Sequence, residues 1–345
     1  MASDSSHRNS FLDFVKAVAI YMVVLSHVIG YREGFSHVDS LSYTANFIAM
    51  SNMPIFFALS GYFSHGLHSR GFIGGLCRRL LGYFWPMAIF AIVHGIIQGT
   101  SIYTFFRASV CAFLFNNWFF YVLALCDISF FVSKKFTPLY ANYGFLLVCL
   151  LIALTCSGNI WHMSFYAEMF PFYVFGYYLF SLLLGCFSAN RIKRYYIPLM
   201  INMIAYFAVV FLCGNVSTNG LGFYWEHFNL LHSSPLYFLH YLFRIVVGIS
   251  GVMSIMFIVH MLMSVSGIIC EKVASVVGRR TMQLFFVHGI LVHAISNRFC
   301  TLSCPTPQLW LWGGGILMLS MLVVLLTERN SAISVIFWGP SMRRS

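Results

Sequence analysis

Apolar positions along the chain gather into long runs, broken by short polar segments that carry most of the basic residues. Ten such runs stand out, near 11–30, 45–66, 81–99, 117–133, 139–157, 165–186, 196–213, 236–266, 281–297 and 307–327. One helical crossing of a hydrocarbon core takes about 20 apolar residues. Inside lipid, backbone groups are satisfied only within helices or closed barrels, so continuous apolar runs of this length predict helices. The pattern predicts an all-α, polytopic transmembrane helix bundle of about ten spans, forming a single integral-membrane domain over 1–345. The first run follows the polar stretch MASDSSHRNS without a small-x-small cleavage site, and is read as a retained helix. The eighth is long enough to tilt or to continue as a helix past the bilayer.

Orientation follows from the short connections. With the N-terminus in the cytoplasm, the inner loops hold Arg70, Arg78 and Arg79, then Lys134 and Lys135, then Arg191, Lys193 and Arg194, then Lys272, Arg279 and Arg280. The C-terminal tail adds Arg329, Arg343 and Arg344, whereas the outer side holds only Arg32, Arg107 and Arg298. Positive residues favour the cytoplasmic side, so N- and C-termini are both expected there. Residues 100–116, apolar but interrupted by Arg107, read as an interfacial or re-entrant helix. The outer segment 214–235 mixes Gly, Asn, aromatics, Glu226 and two histidines. It is either a cover over a polar ligand or an ordinary connection.

Composition sharpens the class. Hydrophobic residues fill 60% of the positions and charged residues 8%, about a third of what a soluble domain carries. The net charge of +11 is dispersed between apolar runs, which fits membrane orientation and gives no phosphate-tracking face, so no nucleic-acid partner is expected. Most of the ten cysteines lie inside apolar runs as small hydrophobes. Only Cys300 and Cys304 share a short loop, and no metal-binding spacing occurs.

Charged and imidazole side chains within apolar spans are the candidates for chemistry, because lipid penalises them. Lys16 and His27 are eleven positions apart, which at about 100° per residue returns them to nearly one face. Asp13 lies one turn before Lys16 on that stripe. His27 is either a general base held neutral by its surroundings or a helix–helix hydrogen-bonding group. Asn52, Met53 and Pro54 open the second span, where Ser60-Gly61 gives a small surface for a neighbouring helix or a ligand. Arg78 and Arg79, placed just before the third span, suit either a donor phosphate or simple orientation. Further intramembrane groups are His94, Asp127, Glu168, His240, Arg244, His260, His288 and His293, with Arg244 and Asp127 a conceivable pair. No esterase elbow, Walker loop, dinucleotide fingerprint or zinc motif is present.

Taken in order, these segments resemble membrane acyltransferase family 3, and within it the fucose 4-O-acetylase-like subgroup. The resemblance starts at Leu12-Asp13-Phe14-Val15-Lys16, runs through AVAIYMVVLSHV to His27 and resumes at MPIFFALSGYF. It continues through RRLLGYFWP with Arg79 and Pro86, Asn117-Trp118-Phe119-Phe120, PFYVFGYYL and FFVHGILV, which holds His288. Two positions depart from the pattern. Lys16 stands where the family often has arginine, keeping the charge without the bidentate fork. Asn52 stands where the subgroup often has histidine, so no role of that histidine carries over.

The resemblance implies transfer of an acyl group, usually acetyl from acetyl-CoA, to a hydroxyl of a cell-surface or lipid-linked glycan. Acetyl-CoA would be a co-substrate, with no permanently bound cofactor. It implies a catalytic His27; in the mechanism built on that histidine, Lys16 and Asp13 assist it and Arg78 and Arg79 hold the donor phosphates. Ser60, Tyr62, Trp118, Glu168 and His288 would lie along the acceptor path. The expected partners are acetyl-CoA, a glycan or lipid-linked sugar and membrane lipids, and the expected location is a bacterial plasma (inner) membrane. From other classes come a transporter or flippase relaying protons through buried His and Glu, and a silent scaffold of polysaccharide assembly.

Overall fold

The computed structural model describes residues 9–33, 43–64, 72–99, 101–136, 142–156, 163–187, 191–212, 235–299 and 306–342. Regular structure among them is wholly helical. The helices are α1 (Ser10–Glu33), α2 (Tyr43–Ser64), α3 (Phe72–Gln98), α4 (Ile102–Cys111), α5 (Trp118–Phe136) and α6 (Asn142–Cys156). They continue as α7 (Met163–Cys186), α8 (Ile192–Leu212), α9 (Pro235–Val276), α10 (Thr281–Phe299), α11 (Thr306–Arg329) and α12 (Ser331–Met342).

Each predicted apolar run coincides with a helix to within a few residues at its centre. By length and apolarity, six stretches among the described residues suffice to cross a membrane. One of them, Tyr241–Ile295, is 55 residues long and takes in parts of both α9 and α10. A seventh counts if Ile102–Leu114 and Trp118–Lys135, bent by 43°, form one broken span. That bend also suits the re-entrant reading of 100–116. Ten spans is thus more than length and composition alone support. The outer segment 214–235 and the Cys300–Cys304 loop lie, apart from Pro235, outside the described residues.

Three boundaries differ from expectation for physical reasons, while α9 continues as its length allowed. α2 begins at Tyr43, so Asn52, Met53 and Pro54 lie in its interior and do not open it; the apolar residues upstream, such as the buried Ile48, extend the helix towards its N-terminus. α3 begins at Phe72, so Arg78 and Arg79 sit inside the helix and not before it; arginine and leucine are good helix formers and continue it beyond the apolar run. α9 runs on to Val276 across a kink at Ser266 (φ −130°, ψ 44°), the continuation that its length allowed. The C-terminal tail contains α12, too short to span and broken at Gly339, where φ is 73°. Its Trp338 is buried, with its ring 5.6 Å from Phe90 of α3. Trp85 of α3 also donates to the Ile336 carbonyl at 2.8 Å.

The chain forms two compact units. The first comprises Met1–Phe56, Leu183–Asn219 and Ile249–Val324. Within it α1 is the interior helix, with 72% of its membrane-length window buried, while α8 has only 17% buried and turns its apolar side chains outward to lipid. α10 packs along α1. Interhelical polar contacts hold α8 in place, as is usual where lipid removes the hydrophobic drive between helices. Asn202 donates to the Ser250 carbonyl at 3.1 Å and accepts from the Ser250 hydroxyl at 2.8 Å. Tyr206 donates to the Phe47 carbonyl at 3.1 Å.

The second unit comprises Phe57–Leu182, Gly220–Gly248 and Leu325–Ser345. Here α2 and α7 cross with their backbones in contact. A Cβ on Gly61 would overlap the Tyr173 carbonyl, and one on Gly176 would overlap the Ala58 carbonyl. Small residues permit this approach, so the Ser60-Gly61 surface serves a neighbouring helix.

Candidate functional site

In the first unit, the stripe predicted on α1 is present. Lys16 Nζ lies 3.0 Å from Asp13 Oδ1, an i,i+3 ion pair whose carboxylate is buried. Eleven residues further on, His27 meets a histidine from α10. The rings of His27 and His288 are tilted by 47° with centroids 5.2 Å apart. His288 is almost fully buried, and its Nδ1 is 2.9 Å from the Leu284 carbonyl. A carbonyl oxygen only accepts, so this contact puts the proton on Nδ1 and leaves the Nε2 lone pair of the neutral ring free. Nε2 is buried and has no hydrogen-bond partner among the described residues. Buried polar atoms are nearly always paired, so a free imidazole lone pair beside a second imidazole marks this spot.

Two ion pairs occupy the second unit. Arg79 Nε of α3 lies 2.8 Å from Asp127 Oδ2 of α5. Tyr83, one turn beyond Arg79, accepts from Arg79 Nε at 2.6 Å and donates to Asp127 at 3.0 Å. Tyr173 of α7 donates to the other carboxylate oxygen at 2.5 Å. Arg79 Nη2 also donates to the Ser60 carbonyl at 3.1 Å. Arg78, by contrast, is exposed. The second pair joins Arg244 Nη2 of α9 to Glu168 Oε2 of α7 at 2.8 Å, while Glu168 Oε1 is buried without a hydrogen-bond partner. The conceivable Arg244–Asp127 pair is therefore replaced by Arg79–Asp127 and Arg244–Glu168, each carboxylate meeting the cation on the helix packed against it.

Of the remaining expected residues, Ser60, Tyr62 and Trp118 belong to the second unit and Asn52 to the first. Ser60 contributes its carbonyl to Arg79, as above, and its side chain is half-buried. The Tyr62 ring is 5.4 Å from that of Phe180. Trp118 stacks on Phe165 with centroids 4.3 Å apart, and Phe165 is one turn before Glu168 on α7. Asn52 is buried, and its side chain accepts from the Met53 amide at 2.7 Å. The side chain of His240 lies outside the described residues. Among the described residues, no group of three or more His, Cys, Asp or Glu side chains converges as metal ligands.

Sequence reasoning singled out neither Tyr83 nor Tyr173. A carboxylate in the middle of WFFYVLALCDISFF demands donors, and tyrosines at matching depth on adjacent spans were the signal.

A model of a protein family, described as an acyltransferase domain, matches residues 9–329. The chain belongs to membrane acyltransferase family 3. No curated protein and no solved structure matches it. The protein is a membrane acyltransferase, and the match spans both units, from α1 to α11. Both histidines of the imidazole pair, both intramembrane ion pairs and the α2–α7 crossing lie inside the matched region of this acyltransferase.

Proposed function

We propose that this acyltransferase moves acetyl from acetyl-CoA to a hydroxyl of a cell-surface or lipid-linked glycan in a bacterial plasma membrane. The observation that carries the reading is the His27–His288 pair, set in an apolar interior with the His288 Nε2 lone pair uncommitted.

In this reading His27 takes the proton from the acceptor hydroxyl as its oxygen attacks the thioester carbonyl. The carbon–sulfur bond breaks, the acyl group becomes an ester on the sugar, and the CoA thiolate leaves with the proton that His27 carried. A positioned base contributes about 10²- to 10⁴-fold to such a step. A covalent variant passes the acyl group through an acyl-imidazole on His27 before the hydroxyl accepts it. His288 stabilises the imidazolium that forms on His27. Lys16, oriented by Asp13, offsets negative charge on the donor or at the reacting carbonyl.

On α3, Arg78 is exposed and open to a phosphate, whereas Arg79 is committed to Asp127 and the Ser60 carbonyl. Trp118 and Glu168 belong to the acceptor path, where an aromatic face and a carboxylate suit the apolar face and hydroxyls of a sugar. Ser60 and Tyr62 complete that path. The enzyme needs acetyl-CoA as co-substrate and keeps no cofactor bound. The family pattern is nearest to the fucose 4-O-acetylase-like subgroup, with the role of its second histidine vacated by Asn52. The transporter alternative has no observation in its favour.

The test is turnover by the purified protein in proteoliposomes supplied with acetyl-CoA and a panel of polyprenyl-linked sugars. Release of CoA together with an acetyl ester on the sugar, detected by mass spectrometry, is the expected result. Ester-free release, or no release with any acceptor, contradicts the reading.

A further inference from the structure

At one end of the first unit, an open cavity of about 420 Å³ lies among α1, α9 and the short 3₁₀ turn Gly278–Arg280. Its wall includes Asp13, Glu271, Lys272 and Arg279. This is the basic end of the unit, the end that the positive-inside pattern assigns to the cytoplasm. Lys272 and Arg279 are exposed, and neither side chain makes a hydrogen bond or ion pair among the described residues. Asp13 is answered by Lys16 at 3.0 Å. The wall thus holds two cations, Lys272 and Arg279, and two carboxylates, of which Asp13 is already paired with Lys16.

The turn bearing Arg279 is held firmly. A Cβ on Gly278 would overlap the Asp13 carbonyl, so the turn lies directly on the α1 backbone. Arg279, the next residue of the turn, lines the same cavity as Asp13. The cavity has the size of a small-molecule site. Its lining offers a guanidinium and an ammonium, which suit phosphate oxygens. Along α1 the rise from Asp13 to His27 is on the order of 20 Å. A donor anchored here by phosphate therefore needs a long flexible arm to bring its acyl group to His27, and the pantetheine arm of a CoA thioester is such a chain.

We propose that this cavity is a phosphate-binding subsite, formed by Lys272 and Arg279, that anchors the nucleotide end of the acyl-thioester donor. The proposal rests on the acyl-CoA reading above and adds a binding site to it. Anionic lipid headgroups carry the same phosphate chemistry, so the experiment separates the two sources.

The full-length protein is placed in nanodiscs of phosphatidylcholine, and CoA and pantetheine are titrated against it by calorimetry. Wild type, Lys272→Gln/Arg279→Gln, the charge-keeping Lys272→Arg/Arg279→Lys and the control Lys193→Gln are compared. The expected result is CoA affinity about tenfold weaker in the neutralised variant, the loss that two exposed charge contacts account for. Affinity stays near wild type in the other two variants, and pantetheine binding is unchanged throughout. Unchanged CoA affinity combined with reduced retention of phosphatidylglycerol, read by native mass spectrometry on a parallel set of nanodiscs containing that lipid, assigns the cavity to a headgroup and overturns the donor assignment. No change in either ligand overturns the subsite while leaving acyl transfer standing. Wild type that binds no CoA overturns both. Monodisperse elution of each variant confirms the fold.

Discussion

The Arg79 guanidinium on α3 lies 2.8 Å from the Asp127 carboxylate on α5, and two tyrosine hydroxyls close around the same carboxylate. A charge pair taken out of water is stabilised only when its remaining lone pairs and protons are also met. Here Tyr83 and Tyr173 supply those contacts, tying α3, α5 and α7 of the second unit together.

Removing one member of the pair leaves the other charge buried and unanswered. Asp127→Ala is expected to cost about 3–5 kcal/mol, read as a lower unfolding midpoint in detergent. Arg79→Met/Asp127→Leu, which removes both charges, should recover most of that loss. A single variant as stable as wild type contradicts the network.

The α2–α7 crossing makes a different demand. Gly61→Ala and Gly176→Ala each put a methyl group where a carbonyl oxygen stands. Overpacking of this kind costs about 1–3 kcal/mol. Gly144 of α6 has nothing within 4 Å of a Cβ position. Gly144→Ala is therefore neutral or stabilising, by up to about 1 kcal/mol from helix propensity. Thermal midpoints by fluorescence-detected gel filtration should separate the first two variants from the third.

His288→Asn keeps a donor for the Leu284 carbonyl but removes the Nε2 lone pair that is free beside His27. The expected effect is a fall in kcat of about 10²-fold, the lower end for a proton-handling group, with KM for the donor little changed. A rise in KM at constant kcat would assign His288 to binding alone.

Much of this was legible in the sequence because lipid enforces simple rules. The apolar runs located the helices, and the eleven-residue spacing of Lys16 and His27 placed both on one face of α1. The motif around Gly61 announced a close approach. Pairings between helices were not legible, since one sequence carries no record of which spans touch. Hence Arg244 was only a conceivable partner for Asp127, whose partner is Arg79, while that of Arg244 is Glu168. The meeting of His27 with His288 depended on the packing of α1 against α10, distant in sequence. α12 was missed because the Gly339-Pro340 break and its short length resemble a tail.

The central claim is that His27 is the base, or the acyl carrier, for transfer from acetyl-CoA to a glycan. Its most direct test is transfer of radiolabelled acetyl in membranes carrying wild type or His27→Ala at matched expression. Label in the glycan fraction is expected with wild type, and a loss of about 10²-fold or more in the variant. Equal labelling by both proteins would contradict it.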